Sequence, residues 1–244
     1  MKTSILKVAS FLGLVVFMTS CDNNGVCIKG NGDIVTETFD LESFDAIDLQ
    51  ESANVKIIHG TEQRVQVTGD ENIVDKLKKT VSQDRWSIAL PNGCYKQYDL
   101  SIEITLPSVR AIELSGSGNV EVKNFNSSDD LDLSISGSGD IELIGFDKID
   151  QVEARISGSG SIIATNGNTQ VEDLDIRISG SGDVDVYALE SDDCTIKISG
   201  SGNSYVTVQD ALNVNISGSG KVYYHGNPVV TKNISGSGAV KKRD

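Results

Sequence analysis

The tetrapeptide Ser-Gly-Ser-Gly occurs seven times, beginning at Ser115, Ser136, Ser157, Ser179, Ser199, Ser217 and Ser235, at intervals of 18 to 22 residues. A recurring period near 20 residues marks a chain that stacks one structural unit on the next, and it argues against a single compact globule. The flanks of each copy alternate. One residue before the first Ser stand Leu114, Ile135, Ile156, Ile178, Ile198, Ile216 and Ile234; five residues after it stand Val120, Ile141, Ile162, Val184, Ser204, Val222 and Val240. Mostly polar residues lie between, so each copy reads as a strand, a glycine corner and a second strand with one buried face. The alternation continues through the corner, with both Gly inward and both Ser outward. A Cβ at the inner positions would obstruct the turn and the approach of the next coil. The fold class is therefore all-β, a single-chain β-solenoid with coils of 18 to 22 residues occupying residues 113–244.

Ahead of this regular part, residues 28–112 carry less even strands and one helical pattern, in which Asp70-Glu71-Asn72 precedes Ile73, Val74, Leu77 and Val81. This N-terminal β part continues directly into the solenoid. Residues 1–20 read as an export signal: Lys2 and Lys7 precede an apolar run over residues 8–18, too short to span a bilayer. Its end, Met18-Thr19-Ser20-Cys21, resembles the lipobox of bacterial lipoproteins, in which the Cys takes a diacylglycerol and the leader is cut before it. The alternative is an ordinary secretory signal in which Cys21 is a plain thiol. Lipidation would make residues 21–27 a short tether and the membrane a partner, with each buried CH₂ contributing about 0.8 kcal/mol. The location expected is the cell envelope, on an outer-membrane lipoprotein facing the periplasm or the exterior.

Export puts the remaining thiols in an oxidising compartment, where Cys27 and Cys94 can pair and leave Cys194 over. Cys194 falls on the inward phase of its coil and reads as an inert core thiol. A metal site is not expected from Cys residues so far apart with only His59 and His225 in the chain, and no cofactor is implied. The formal charge of -14, or -16 once Lys2 and Lys7 leave with the leader, disfavours nucleic acid through long-range repulsion.

The sequence resembles the auto-transporter adhesin head GIN domain family, common in Bacteroidetes. The resemblance rests on Phe44-x-x-Ile47-x-Leu49, Asn54-Val55-x-Ile57, Gly60, Val65-x-Val67-x-Gly69-Asp70-Glu71-Asn72, Leu106-Pro107 and the Ser-Gly-Ser-Gly series. It implies a β-helix-like fold on a secreted or surface lipoprotein, and it supplies no site residues.

The other glycine-rich readings fit less well. Repeats-in-toxin calcium coils need an Asp array, but the residue after the tetrapeptide is Asp only at Asp140 and Asp183. A phosphate loop needs a following helix with Lys. Ice-binding ladders need flat Thr rows.

Two outward rows are candidate sites. Two residues before the corner, Arg155, Arg177 and Lys197 follow one another. They read either as part of a self-neutralising surface with Asp132, Glu153 and Asp175, or as a docking strip for an acidic glycan. Six residues after it, Tyr205 and Tyr223 are neighbours, either a cross-strand pair or a platform for sugar rings. The longer segments 124–130 and 145–150 read as surface turns, and no catalytic pair stands out. The expected function is a non-catalytic, adhesin-like binding surface for polysaccharide or protein. A polysaccharide-processing enzyme on a β-helix scaffold and a structural envelope component are the alternatives.

Overall fold

The computed structural model describes residues 27–125, 127–167 and 169–243; the leader and Cys21 lie outside the described residues. About 59% of the described residues are strand, and the fold is a β-solenoid of about six turns.

Every row anticipated by the repeat is a parallel ladder. Leu114 pairs with Ile135, Ile135 with Ile156, Ile156 with Ile178, and the row continues to Ile234. On the other side of the corner, Val120, Ile141, Ile162, Val184, Ser204, Val222 and Val240 form the matching row. Rung-to-rung hydrogen bonds continue into the corner, where Ser157 N donates to Ile135 O and Ser179 N to Ile156 O, each at 2.8 Å. The ladder spacing of about 4.8 Å is what forces glycine there. A Cβ on Gly139 would fall inside the carbonyl oxygen of Gly118. The serines beside these glycines are exposed, so the parity read from the sequence is the observed one.

The stack also includes rungs that carry no tetrapeptide. Ala46–Leu49 pairs in parallel with Ala111–Leu114, and Asn54–His59 with Asn119–Lys123. Gln50-Glu51-Ser52-Ala53 therefore stands where later rungs have Ser-Gly-Ser-Gly. Beneath it lie Arg85–Ile88 and Leu100–Leu106. The chain thus lays down its second rung first, then the one below, then climbs. The antiparallel pair Ile34–Phe39 and Arg64–Asp70 covers this end, with the Phe39 and Phe44 rings against Trp86 at 6.3 and 5.8 Å. The Cys27 and Cys94 sulfurs are bonded, their Cα atoms 4.6 Å apart, beside the short pairing of Ile28–Lys29 with Tyr95–Lys96.

Two local expectations are corrected. Helical spacing suggested a helix running toward Val81, but only Glu71–Val74 is helical, and Val81 pairs with Trp86 in a strand. Ile73, Val74 and Leu77 are buried all the same, so their spacing reflects burial through a turn. Segments 124–130 and 145–150 are only partly turns, because Ser127–Ile135 and Lys148–Ile156 extend the ladder back to the preceding corner. That second corner uses residues with positive φ, Asn124 at 61°, Gly145 at 67° and Asn166 at 57°, nine residues after their respective first Ser. Phe125 and Phe146 are buried behind it, stacked with ring centroids 5.6 Å apart.

Candidate functional site

A long open groove of about 610 Å³ runs along the first corner, parallel to the solenoid axis. One wall is the row two residues before the corner, with Arg155, Arg177, Lys197, Asn215 and Asn233 on successive rungs. The other wall is the first Ser of each corner, Ser157, Ser179, Ser199, Ser217 and Ser235. Alternation explains the pairing of walls: both rows point outward, and the buried isoleucine between them forms the floor. Its backbone groups serve the rung-to-rung bonds, so the free polar atoms of the groove belong to side chains.

The three cations of the predicted strip are brought together here, but they are not equivalent. Arg155 bonds Glu153 on its own rung and lies 3.7 Å from Asp132 on the rung before. Arg177 bonds the same Glu153 and, at 3.0 Å, Asp175. Lys197 is exposed and, among the described residues, has no carboxylate within ion-pair distance. The register gives the reason: the own-rung position two residues back, acidic at Asp132, Glu153 and Asp175, becomes Thr195 on the Lys197 rung, and the diagonal acid on the rung before, Asp175, is engaged by Arg177.

On the far side of that acidic row lies a second, polar trough of about 470 Å³, lined by Asp130, Asp132, Glu153, Asp173, Asp175 and Asp193 among others. Consecutive rungs place Glu153 beside Asp132 and Asp175, but both Glu153 and Asp175 are engaged by guanidinium groups. No three His, Cys, Asp or Glu side chains converge on a cation site among the described residues.

The row after the tetrapeptide, weighed above as a calcium array, has a structural use. The Asn119, Asp140 and Asp183 side chains accept bonds from the backbone N–H of Asp140, Ser161 and Asn203 on the next rung, at 3.1, 2.7 and 2.6 Å.

Tyr205 and Tyr223 are neighbours, stacked at 5.1 Å and 10°. Tyr187 meets Tyr205 edge-on at 5.7 Å and stacks on His225 at 4.4 Å, while the Arg243 guanidinium lies over Tyr223 at 4.4 Å. Sequence spacing does not single out Tyr187, His225 and Arg243 for this cluster; Tyr187 lies within the strand Val184–Ile198. With Tyr205 stacked on it and Arg243 over it, the Tyr223 ring already has its π-partners. Burial pushes the Tyr187 and Tyr205 phenols up, so both stay neutral.

A family profile described as "Putative auto-transporter adhesin, head GIN domain" matches residues 43–228. The chain belongs to this family. The match takes in the degenerate rung at Gln50 as well as six of the seven corners. Among solved structures, the GIN domain here resembles a crystal structure described as a putative adhesin from Bacteroides fragilis, with a TM-score of 0.82 and 19% identity, covering 88% of this chain and 100% of that one. It also resembles one described as a putative lipid binding protein from Parabacteroides distasonis, with a TM-score of 0.73 and 24% identity, covering 90% and 100%. A putative adhesin from Parabacteroides merdae gives a TM-score of 0.72 at 20% identity, covering 89% and 99%. No curated protein matches. At these identities the likeness extends to the fold, and the groove's side chains must be read from this GIN domain itself.

Proposed function

We propose that this protein is a non-catalytic component of the bacterial cell envelope, anchored through a lipidated Cys21, which holds an extended polysaccharide or protein along the Ser-lined groove. The observation that carries the reading is the groove itself: polar side chains repeat on five successive rungs, which suits an elongated ligand. Membership of the adhesin family supports a role at the cell surface or envelope. Glycoside hydrolysis on such a scaffold would need a carboxylic acid kept protonated beside a second carboxylate across a cleft. Glu153 and Asp175 instead lie on an open face and neutralise arginines, which favours binding without turnover.

Ser217 is exposed on the serine wall of the groove, so Ser217→Trp intrudes into it while leaving the inward glycines untouched. Binding of the folded wild type and of this variant to arrayed envelope glycans and proteins tests the reading. Loss of binding in the variant is expected; unchanged binding overturns it. Reducing-end assays on any bound glycan test the absence of turnover. Palmitate labelling that is lost in Cys21→Ser, followed by protease shaving of intact cells, tests the anchor and the exposure.

A further inference from the structure

The groove's spacing and its unequal cations narrow the ligand, on the premise that the groove is the binding site. We infer that it takes a linear glycan bearing sparse negative charge, one carboxylate in several sugars, with that carboxylate on Lys197.

Spacing selects glycan over polypeptide. The groove repeats its side-chain contacts once per rung, about every 4.8 Å. An extended polypeptide presents same-side groups about every 6.6 Å, so it loses step with the rungs within three contacts. A pyranose ring is roughly one rung long and offers hydroxyls on every unit. Ser hydroxyls and the Asn215 and Asn233 carboxamides can donate to and accept from such hydroxyls at every step.

Charge selects the degree of anionic substitution. A glycan charged on every sugar would meet a chain of formal charge -14 and a groove whose arginines are already satisfied by Glu153 and Asp175. A neutral glycan would leave the Lys197 ammonium without a counter-charge. Lys197 is flanked by Arg177 on one rung and Asn215 on the other, and it has no acidic partner among the described residues. One carboxylate at that rung, with neutral sugars beyond it over Asn215 and Asn233, matches the sequence of side chains along the wall.

Titration calorimetry of the full mature chain with three hexasaccharides tests the inference. The probes are neutral xylohexaose, the same chain carrying one glucuronic acid, and hexagalacturonate. The singly charged probe is expected to bind roughly three- to tenfold more tightly than the neutral one, as for an exposed charge-assisted contact. That preference should vanish in Lys197→Gln and survive in Lys221→Gln, which changes a cation outside the groove wall. Equal binding of neutral and singly charged probes, a preference that survives Lys197→Gln, or tightest binding by hexagalacturonate overturns the inference while leaving the groove reading intact. If Ser217→Trp binds the probes as wild type does, or if an extended peptide competes for the groove and no glycan binds, the choice of glycan falls too.

Discussion

Arg177 reaches back one rung to bond Glu153, and the same carboxylate holds Arg155. A column of like charges stacked about 4.8 Å apart is tolerable because acids interleave it diagonally. The contact also sets how much positive charge the groove shows to a ligand.

Glu153→Gln should therefore unmask charge without unfolding the protein. The arginine side chains are 42% and Glu153 27% exposed, so stability should change by less than about 1 kcal/mol in urea titrations. Retention on a sulfated cation-exchange resin at low salt should increase, and it should not increase in Glu103→Gln, whose partner Lys56 lies away from the groove.

The corner glycines should be intolerant of even one methyl group. In Gly139→Ala the Cβ meets the backbone carbonyl of Gly118, which no side-chain rotation relieves. A loss of about 3 kcal/mol or more is expected. Ser138→Ala, one residue away and facing water, should stay within about 0.5 kcal/mol in the same urea series.

Ser204 occupies a core position between Val184 and Val222, is 0% exposed, and its hydroxyl has no partner. Ser204→Val removes an unsatisfied polar group and completes the aliphatic row. It should stabilise the fold by roughly 1–2 kcal/mol. Thermal unfolding should move upward by about 2–4 °C per kcal/mol.

Cys194, stacked between Leu174 and Leu212, should resist alkylation until the protein unfolds. Burial, and to a smaller extent Asp175 and Asp193, pushes its thiol far up. Because the pKa is raised in the folded state, the unfolded chain alone ionises near pH 8.5. The thiol's effect on stability is therefore absent below that pH and becomes a growing penalty above it. By pH 10 it reaches about 2 kcal/mol. Cys194→Val should lack this component when the two pH profiles are subtracted.

Reduction of the Cys27–Cys94 bond, which closes a loop with a sequence separation of 67, should cost about 2–4 kcal/mol. Hydrogen exchange should show the loss at the N-terminal rungs, with the later corners nearly unaffected, since each rung contacts only its neighbours.

The sequence by itself determined the tetrapeptide corners, the inward and outward parity, and the register of the rows that flank those corners from Ala111 to Lys242; the ladder shifts register between Val186 and Glu190 and between Ser191 and Asp193. A parallel ladder allows one offset per repeat, and a slip of one residue would turn every isoleucine outward. It did not reveal the rungs at Ala46–Leu49 and Arg85–Ile88, because Gln50-Glu51-Ser52-Ala53 lacks the tetrapeptide and the chain visits those rungs out of spatial order. Nor did it reveal the second corner, whose signal is only a positive-φ Asn or Gly nine residues after the first Ser of four copies, at Asn124, Gly145, Asn166 and Gly226. The strip was legible as a row of three cations. Only the tertiary structure decided that two of them are bonded to acids and the third is not. Row membership follows from spacing along one chain, whereas ion pairing depends on diagonal distances between rungs. Those distances exist only once the rungs are stacked.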